Sequence, residues 1–213
     1  MFVGERMSRP VICVSPDDPI NEVLAMFRTE HIRRAPVMKE GKLVGIVSER
    51  DLLNASPSSA TTLSVWELNY LISKVRVKDV MTKKVITVDS EIPIEEAARI
   101  MADKKIGGLP VVSAGKVVGM ITETDLFKIL LELMGARQKA VRVTATVPNR
   151  PGELAKISQV VSSNGGDFIS FGIFSGPDAE SRVLTFKVQG VKKEKLKEIL
   201  EPVVLKFWDI RQS

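Results

Sequence analysis

The apolar positions of the first 126 residues follow one pattern that occurs twice. In the first copy, the apolar run Val11–Val14 is typical of a strand. The next apolar positions lie at the spacing of one buried helix face: Ile20, Val23, Leu24 and Phe27. The second copy has the same spacing at Val85–Val88, Ile94, Ala97, Ala98 and Met101. Each copy is therefore predicted to begin with a strand and an amphipathic helix.

Two shorter apolar runs follow in each copy, and a glycine lies between them. The runs are 36–38 and 43–47 around Gly41, and 110–112 and 117–121 around Gly115. Short apolar runs around a glycine turn predict a hairpin. A second helix is predicted to start at Asp51 and at Asp125, so the order of each copy is β-α-β-β-α.

Segments 7–52 and 81–126 align without a gap, and 17 of the 46 aligned residues are identical. An ungapped internal repeat indicates two copies of one supersecondary unit. Two copies are too few for a solenoid, so we expect a pseudo-symmetric pair. The boundary between two such units is a natural place for a ligand.

From residue 140 the pattern changes. Apolar and polar residues alternate over 141–147, which predicts a strand, and a helix is predicted over Glu153–Ser163. Two strands at 168–176 and 182–190, a Lys-rich helix at 192–200 and a strand around 203–210 follow. The order β-α-β-β-α-β is that of a ferredoxin-like unit with both helices on one face of the sheet. Apolar residues of 168–174 and 184–188 are expected on its open face.

The predicted protein is therefore of the α+β class with two domains. The first comprises residues 1–135, with repeat one at 7–55, a linker and helix at 56–80, and repeat two at 81–135. Within that linker, 54–63 is rich in Ser, Thr and Pro and is predicted to be a loop, and a helix is predicted from Ser64. The second domain comprises residues 136–213.

Composition and charge exclude several functional classes. The net charge is +5, and residues 136–213 carry 13 Lys and Arg against 8 Asp and Glu, partly on one solvated helix. No helix-turn-helix or RNP signature appears, so the sequence disfavours nucleic-acid binding. No apolar run is long enough to span a membrane, and no signal peptide is apparent. The single cysteine excludes an internal disulfide and favours a reducing, cytoplasmic location.

An enzymatic function is also disfavoured by the sequence. No P-loop, CxxC or HExxH motif is present, and one histidine and one cysteine cannot build a usual catalytic triad. His31 has no cluster of ligands around it in the sequence, so no metal site is predicted. We therefore expect a non-catalytic protein that requires no cofactor.

A hydroxyl and a carboxylate three residues apart occur at the same place in both repeats, as Ser48 with Asp51 and Thr122 with Asp125. At a helix start, such a pair can accept the two hydroxyls of a ribose. The same spacing is also a helix-capping pattern, and the spacing alone leaves both interpretations open.

Both repeats resemble CBS domains through HIRRAPV with LVGIVSERDL and KIGGLPV with VVGMITETDL. The resemblance implies a disc with two clefts for adenine nucleotides (AMP, ADP or ATP) or a relative such as S-adenosylmethionine. It implies that the carboxylate holds the ribose, and that the base meets the backbone near the proline strand and a residue of the first strand. The residues so implied are Cys13, Pro36, Val37, Ser48 and Asp51 for one cleft, and Thr87, Pro110, Val111, Thr122 and Asp125 for the other.

The two implied clefts are not equivalent in charge. Arg33 and Arg34 precede the proline strand of repeat one, whereas Gly107 and Gly108 stand at the equivalent positions of repeat two. The arginines are candidates for phosphate contact, and a solvated helix end is the alternative.

The C-terminal domain, with ATVPNRPGELAKI, resembles an ACT domain, a family of amino-acid-binding regulatory modules. The resemblance makes Asn149, Arg150, Pro151 and Gly152 an effector loop, where a carboxylate would lie at the helix N-terminus. It also implies that Asn149 and Asp167 meet the ligand's amino group at a dimer interface. Val147 stands where the family often has a polar residue, so dimerisation without a ligand is the alternative. The order of the domains resembles acetoin-utilisation proteins of the AcuB type.

These observations predict a regulatory sensor that forms a homodimer and acts on a partner enzyme that the sequence does not identify. A ligand-free dimerisation scaffold is the alternative function, and a nucleic-acid-binding regulator is a further one.

Overall fold

The computed structural model describes residues 1–55 and 74–213. The described chain divides into two compact units, Met1–Leu126 and Phe127–Ser213. The helix Glu123–Leu133 crosses this division, whereas the sequence interpretation placed the domain boundary at residue 135. Most of the predicted linker at 56–80, including the helix predicted from Ser64, lies outside the described residues.

Each repeat contains the predicted helices and hairpin. Repeat one has the helix Ile20–Thr29, strands β1 (Arg34–Lys39) and β2 (Lys42–Ser48), and the helix Glu49–Asn54. Repeat two has the two-residue strand β3 (Val88–Asp89), the helix Ile94–Lys104, strands β4 (Gly108–Ser113) and β5 (Lys116–Thr122), and the helix Glu123–Leu133. Short helices at Val3–Arg6 and Val77–Val80 precede the repeats.

The two hairpins have the same turn. Their two-residue loops, Glu40-Gly41 and Ala114-Gly115, have positive φ at both residues. This is the requirement of a type I′ turn, whose twist matches that of the strands it joins. The glycines that the sequence marked as turns therefore fix the register of both hairpins.

The strand predicted at the start of each repeat is mostly wrong. Val14 forms only an isolated parallel bridge with Val37, and its counterpart is the two-residue strand β3. In repeat one, Pro10 and Pro16 flank the run, and proline has no N–H to donate to a ladder. Among the described residues, each run also pairs with only one neighbouring strand. Apolar composition alone is therefore not enough to make the whole run a strand.

The segment that precedes each repeat is exchanged between the repeats. Val3 belongs to the core of repeat two and Val77 to the core of repeat one. The backbone N–H of Val3 donates to Ile92 O at 3.0 Å, and the N–H of Val77 donates to Asp18 O at 3.0 Å. These bonds join equivalent residues in the two halves, so the repeats are related by a pseudo-twofold axis.

Gly45 and Gly119 make this exchange possible. A Cβ on Gly45 would lie 2.5 Å from Met81 Sδ, and a Cβ on Gly119 would meet Met7 Sδ. Ile46 bridges Thr82, and Met120 bridges Ser8, at equivalent positions. The close approach that these glycines permit is therefore made by the exchanged segments of the chain.

The C-terminal unit contains the predicted β-α-β-β-α-β order. Its elements are β6 (Val141–Pro148), helix Glu153–Ser163, β7 (Asp167–Ser175), β8 (Ser181–Gln189), helix Lys193–Leu200, a 3-10 turn Glu201–Val203 and β9 (Lys206–Gln212). The strands form an antiparallel sheet in the order β7-β8-β6-β9, which leaves β7 and β9 at its edges.

The expectation of an apolar open face on this sheet is wrong for β8. Leu184, Phe186 and Val188 are fully buried in the core, together with residues of both helices such as Ile157 and Leu196. The helices cover this face because it carries the alternate apolar positions of β6 and β8.

The opposite face of the sheet carries several hydrogen-bonded polar side chains. Thr144 and Thr185 share a hydroxyl hydrogen bond of 3.1 Å, and Trp208 Nε1 donates to Thr146 Oγ1 at 2.7 Å. The buried Lys187 Nζ donates to the carbonyl of Gly135 at 2.9 Å, so the segment after Leu133 is attached to this face.

Candidate functional site

In both repeats the hydroxyl and the carboxylate meet at the junction of a strand and a helix. Ser48 is the last residue of β2, and Asp51 lies in the first turn of the following helix. Asp51 Oδ2 accepts from Ser48 N at 2.8 Å and from Ser48 Oγ at 2.6 Å, while Asp51 N donates to Ser48 Oγ at 3.3 Å. This is a reciprocal capping box, so the capping interpretation is realised in the fold.

Repeat two has the same arrangement. Asp125 Oδ2 accepts from Thr122 N at 3.0 Å and from Thr122 Oγ1 at 2.7 Å. The two sites differ in burial, because Asp125 is 7% exposed and Asp51 is only half-buried. The cap orients both carboxylates, and an ionised carboxylate has about four acceptor positions, so a cap does not exhaust it.

The two arginines of repeat one reach repeat two. Arg33 Nη2 donates to Thr124 Oγ1 at 3.0 Å, and Arg34 Nη1 donates to the carbonyl of Gly107 at 3.0 Å. Thr124 immediately precedes Asp125. Both guanidinium groups therefore lie beside the first turn of the helix Glu123–Leu133, and neither is only a solvated helix end.

Gly107 and Gly108 leave the room that Arg34 occupies. A Cβ on Gly107 would contact the Arg34 guanidinium and would lie 2.7 Å from Glu123 Oε2. A Cβ on Gly108 would lie 3.3 Å from Arg34 Cδ. Repeat two therefore has glycines at the two positions against which the Arg34 side chain of repeat one packs.

The remaining residues that the resemblance implied lie in the hairpin strands or in the segments that precede the first helix of each repeat. Pro36, Val37, Pro110 and Val111 lie in β1 and β4 and are buried, with the valines in the two cores. Thr87 is half-buried. Cys13 lies on the surface, and the nearby chain desolvates its thiol enough to raise the pKa of Cys13. That thiol therefore stays protonated and uncharged near neutral pH.

The predicted effector loop lines a cavity in the C-terminal unit. The cavity has a volume of about 490 Å³ and is bounded by residues 147–155, Ile173, Arg182 and Leu184. Gly152 has φ of 90°, a left-handed conformation that glycine adopts without strain, and the helix begins directly after it. Asn149, Arg150, Pro151 and Gly152 therefore lie around one cavity.

Glu153 changes the charge of this loop. Its buried carboxylate accepts from Arg150 Nε at 2.6 Å and from Lys156 Nζ at 2.9 Å. The Arg150 guanidinium, followed by the Lys156 ammonium, lowers the pKa of Glu153. Arg150 is thus paired within the chain, which the motif did not indicate.

Arg182 is the residue of this cavity that the sequence interpretation missed. Its Nε donates to Asn149 Oδ1 at 2.5 Å, and Asn149 Nδ2 donates to Ala179 O at 2.8 Å. Arg182 and Asn149 also line a second cavity of about 410 Å³ beside the β7–β8 turn. No motif pointed to Arg182, because its position follows from the pairing of β6 with β8.

Asp167 does not lie at this cavity within one chain. It starts β7, opposite Gln189, whose Nε2 donates to Asp167 Oδ2 at 2.9 Å. Arg182 pairs instead with Ser175, at the other end of the same ladder. A single chain therefore does not bring Asn149 and Asp167 together.

In residues 1–55 and 74–213, which the structure describes, no group of three or more His, Cys, Asp and Glu side chains is arranged to hold a metal ion. Among the same residues, no helix has the length and apolar character needed to cross a bilayer.

A family model described as the CBS domain matches residues 3–58 and 77–132. The chain belongs to the CBS domain family. Tandem CBS repeats, predicted from the motifs, are thereby confirmed. The matched segments begin at Val3 and Val77, the residues that the two repeats exchange.

A dehydrogenase is similar to part of this chain. Inosine-5'-monophosphate dehydrogenase of Korarchaeum cryptofilum is 42% identical over 120 residues, or 56% of this chain and 22% of the dehydrogenase. The alignment thus spans about a fifth of that enzyme's length.

Two solved structures are similar to the CBS pair. The CBS domain pair of protein MJ0100, in complex with 5'-methylthioadenosine and S-adenosyl-L-methionine, is 27% identical with a TM-score of 0.52, covering 65% of this chain and 98% of that one. A Vibrio cholerae protein named for acetoin utilization (AcuB) is 30% identical with a TM-score of 0.53, covering 64% of this chain and 95% of that one.

Proposed function

We propose that this protein is a non-catalytic sensor whose CBS pair binds an adenine nucleotide or a related adenosyl ligand. The observation that carries the proposal is the hydroxyl–carboxylate pair at two equivalent helix starts, with Arg33 and Arg34 crossing to one of them. The similarity to a CBS pair that was solved with two adenosyl ligands supports it.

In this proposal Asp51 and Asp125 each accept a hydrogen bond from a ribose hydroxyl. Their Oδ2 atoms are already fixed by Ser48 and Thr122, so the carboxylates are oriented before a ligand arrives. The backbone near Val37 and Val111, with Cys13 and Thr87 in the segments that precede the first helix of each repeat, would meet the bases. Arg33 and Arg34 would supply cations to a phosphate.

A thermal-shift titration tests the proposal directly. A ligand at about 100 times its Kd should stabilise the folded protein by about 2.7 kcal/mol. AMP, ADP, ATP and S-adenosylmethionine are compared, with inosine and free ribose 5-phosphate as controls for the base and the phosphate. If no adenosyl compound raises the melting temperature at millimolar concentration, the sensor proposal fails and the scaffold alternative gains support.

We further propose that the C-terminal unit is an ACT-type module that binds a small carboxylate metabolite, such as an amino acid, at a homodimer interface. The cavity beside Asn149 and Arg182 supports the ligand, because Arg182 presents a guanidinium that is suited to a carboxylate. The edge strand β7 supports the interface, because it carries the exposed Phe171, Ile173 and Phe174.

Antiparallel pairing of two β7 strands, one from each subunit, would also explain how Asp167 could lie near the Asn149 cavity. If the pairing is centred on Phe171, Asp167 of the partner subunit would lie opposite Ser175, beside the cavity that Arg182 lines. The two ends of the sheet that one chain keeps apart would then meet across the dimer.

The test is the mass of the full-length protein by light scattering. Ile173→Lys places a charge on the β7 edge, and we expect it to lower the oligomeric mass. Leu205→Lys is the matched control, because Leu205 is also exposed in this unit but lies outside the sheet. An unchanged mass for Ile173→Lys would exclude β7 as the interface.

A further inference from the structure

The two clefts of the CBS pair differ in the cations available to them. Building on the proposed adenosyl function, we infer that they take different classes of ligand. The cleft at Asp125 takes a phosphate-bearing adenosine ligand, and the cleft at Asp51 takes a phosphate-free one. The inference rests on Arg33 and Arg34, which extend from repeat one to repeat two, and on the glycines opposite them.

Both arginines serve the Asp125 side of the pair. Arg33 donates to Thr124 Oγ1, one residue before Asp125. Arg34 donates to Gly107 O, and the same carbonyl accepts from Glu123 N at 3.2 Å. Both guanidinium groups therefore lie at the start of the helix that carries Asp125. A guanidinium has five N–H donors, so one bond within the protein leaves others for phosphate oxygens.

The equivalent position on the Asp51 side holds no side chain. The pseudo-twofold relation places Gly107 and Gly108 where Arg33 and Arg34 stand on the other side. A side chain at Gly107 would have to displace the Arg34 guanidinium, because a Cβ there would contact it. A Cβ on Gly108 would also lie 3.3 Å from the carbonyl oxygen of Ile121. The arginines of repeat one therefore occupy space next to the glycines of repeat two.

The ligand class follows from electrostatics. A phosphate at the Asp51 cleft would lie near a carboxylate without the arginine pair to compensate its charge. A phosphate at the Asp125 cleft would form charge-assisted hydrogen bonds with both guanidinium groups. A ligand with an uncharged 5' substituent loses nothing at the Asp51 cleft, so it can occupy that cleft while a nucleotide occupies the other.

Isothermal titration calorimetry of the full chain with AMP and 5'-methylthioadenosine tests the inference. We expect one AMP per chain, and we expect 5'-methylthioadenosine to bind to protein already saturated with AMP. Asp125→Ala should weaken AMP binding by about tenfold to 150-fold, and Asp51→Ala should weaken by a similar factor the 5'-methylthioadenosine binding that persists in saturating AMP.

Arginine variants identify the groups responsible. Arg33→Ala and Arg34→Ala should each weaken AMP binding by about tenfold to 150-fold, the equivalent of one charge-assisted hydrogen bond. Both should leave 5'-methylthioadenosine binding at the Asp51 cleft unchanged. Arg50→Ala is the matched control, because Arg50 is exposed within the Ser48–Asp51 turn and should leave the AMP affinity at the wild-type value.

A substitution at Gly107 tests the role of Arg34 in AMP binding while both arginines are still present. Gly107→Ala places a methyl group against the Arg34 guanidinium and should weaken AMP binding selectively. Circular dichroism confirms that each variant is folded.

The inference is overturned if AMP binds two equivalent sites, if Asp51→Ala removes AMP, or if Arg50→Ala matches Arg33→Ala. It is also overturned if both Arg34→Ala and Gly107→Ala keep the wild-type AMP affinity. If neither AMP nor 5'-methylthioadenosine binds the wild-type chain, the proposed adenosyl function itself fails, which is a separate result.

Discussion

In repeat one Arg33 and Arg34 stand at the start of β1, whereas Gly107 and Gly108 stand at the start of β4 in repeat two. The turns, the capping boxes and the exchanged segments are otherwise present in both repeats. The two segments meet across the pseudo-twofold axis, where the Arg34 side chain of one repeat packs against the glycines of the other. The repeats therefore share a scaffold, and the Arg33–Arg34 pair is present in only one of them.

The largest expected effect comes from the cores of the two repeats. Leu52 is fully buried, while its equivalent Leu126 is only partly buried. Leu52→Ala should lower the free energy of unfolding by about 2–5 kcal/mol, because it removes contacts and leaves a cavity. Leu126→Ala should cost less. Urea unfolding of both variants measures the difference, and equal losses would show that the two cores are equally packed.

The next largest effects are expected from Asp51 and Asp125, whose carboxylates cap the two helices. Asp51→Ala and Asp125→Ala should each weaken the adenosyl ligand at its own cleft by about 1.5–3 kcal/mol, through loss of a charge-assisted hydrogen bond. Loss of the cap should also destabilise each variant by about 0.5–2 kcal/mol. Calorimetry and thermal melting separate the two effects. Lower melting temperature with unchanged ligand affinity would mean that the carboxylates serve only as caps.

Equivalent substitutions in the two hairpin turns should destabilise the protein equally, because the two turns have the same backbone conformation. Gly41 and Gly115 both have φ of 76° with open space around them, so an added Cβ meets only backbone strain. Gly41→Ala and Gly115→Ala should each cost about 1–2 kcal/mol of unfolding free energy. A clear difference between the two values, by urea unfolding, would contradict the equivalence of the hairpins.

The smallest effect concerns an ion pair that only one repeat has. Lys78 Nζ lies 2.7 Å from Asp17 Oδ1 and attaches the exchanged helix Val77–Val80 to repeat one, whereas Gly4 and Glu91 stand at the equivalent positions. Lys78 lowers the pKa of Asp17, and Asp17 raises the pKa of Lys78, in each case mainly through their hydrogen bond.

The signs of these shifts set the pH range of the effect. A lowered carboxyl pKa gives stability above the unfolded-state pKa of Asp17 that is lost as the pH falls through the folded-state value. A raised ammonium pKa gives stability that is lost as the pH rises through the folded-state value of Lys78. Asp17→Asn should therefore cause a small, salt-sensitive loss at neutral pH that vanishes in acid. A loss that persists in acid would show that the pair does not cause it.

Much of the fold followed from local patterns. The hairpins, the amphipathic helices and the order of the C-terminal unit are local properties, and the apolar periodicity predicted them. The strand at Val11–Val14 failed because a strand needs neighbours as well as composition, and only Val37 pairs there. The β8 residues Leu184 and Phe186 were placed on the wrong face, because alternation shows that one face is apolar without showing which layer covers it.

The residues of the candidate sites also fall into two groups, those that local sequence patterns predicted and those that depend on tertiary contacts. The Ser48–Asp51 and Thr122–Asp125 pairs could be found from spacing, because a helix start brings residues three apart together. Arg182 and Glu153 could not, because their roles depend on which strand lies beside the loop and which cations surround the helix start.

The sequence by itself determined that two equivalent units exist and that their hydroxyl–carboxylate pairs stand at helix starts, since both facts follow from repetition and short-range geometry. The tertiary structure alone decided that Val3 completes repeat two and Val77 completes repeat one, because each of these contacts joins segments that are far apart in the sequence. It also decided that Arg34 extends over Gly107, because that contact joins residues 73 positions apart and exists only when the two repeats pack together.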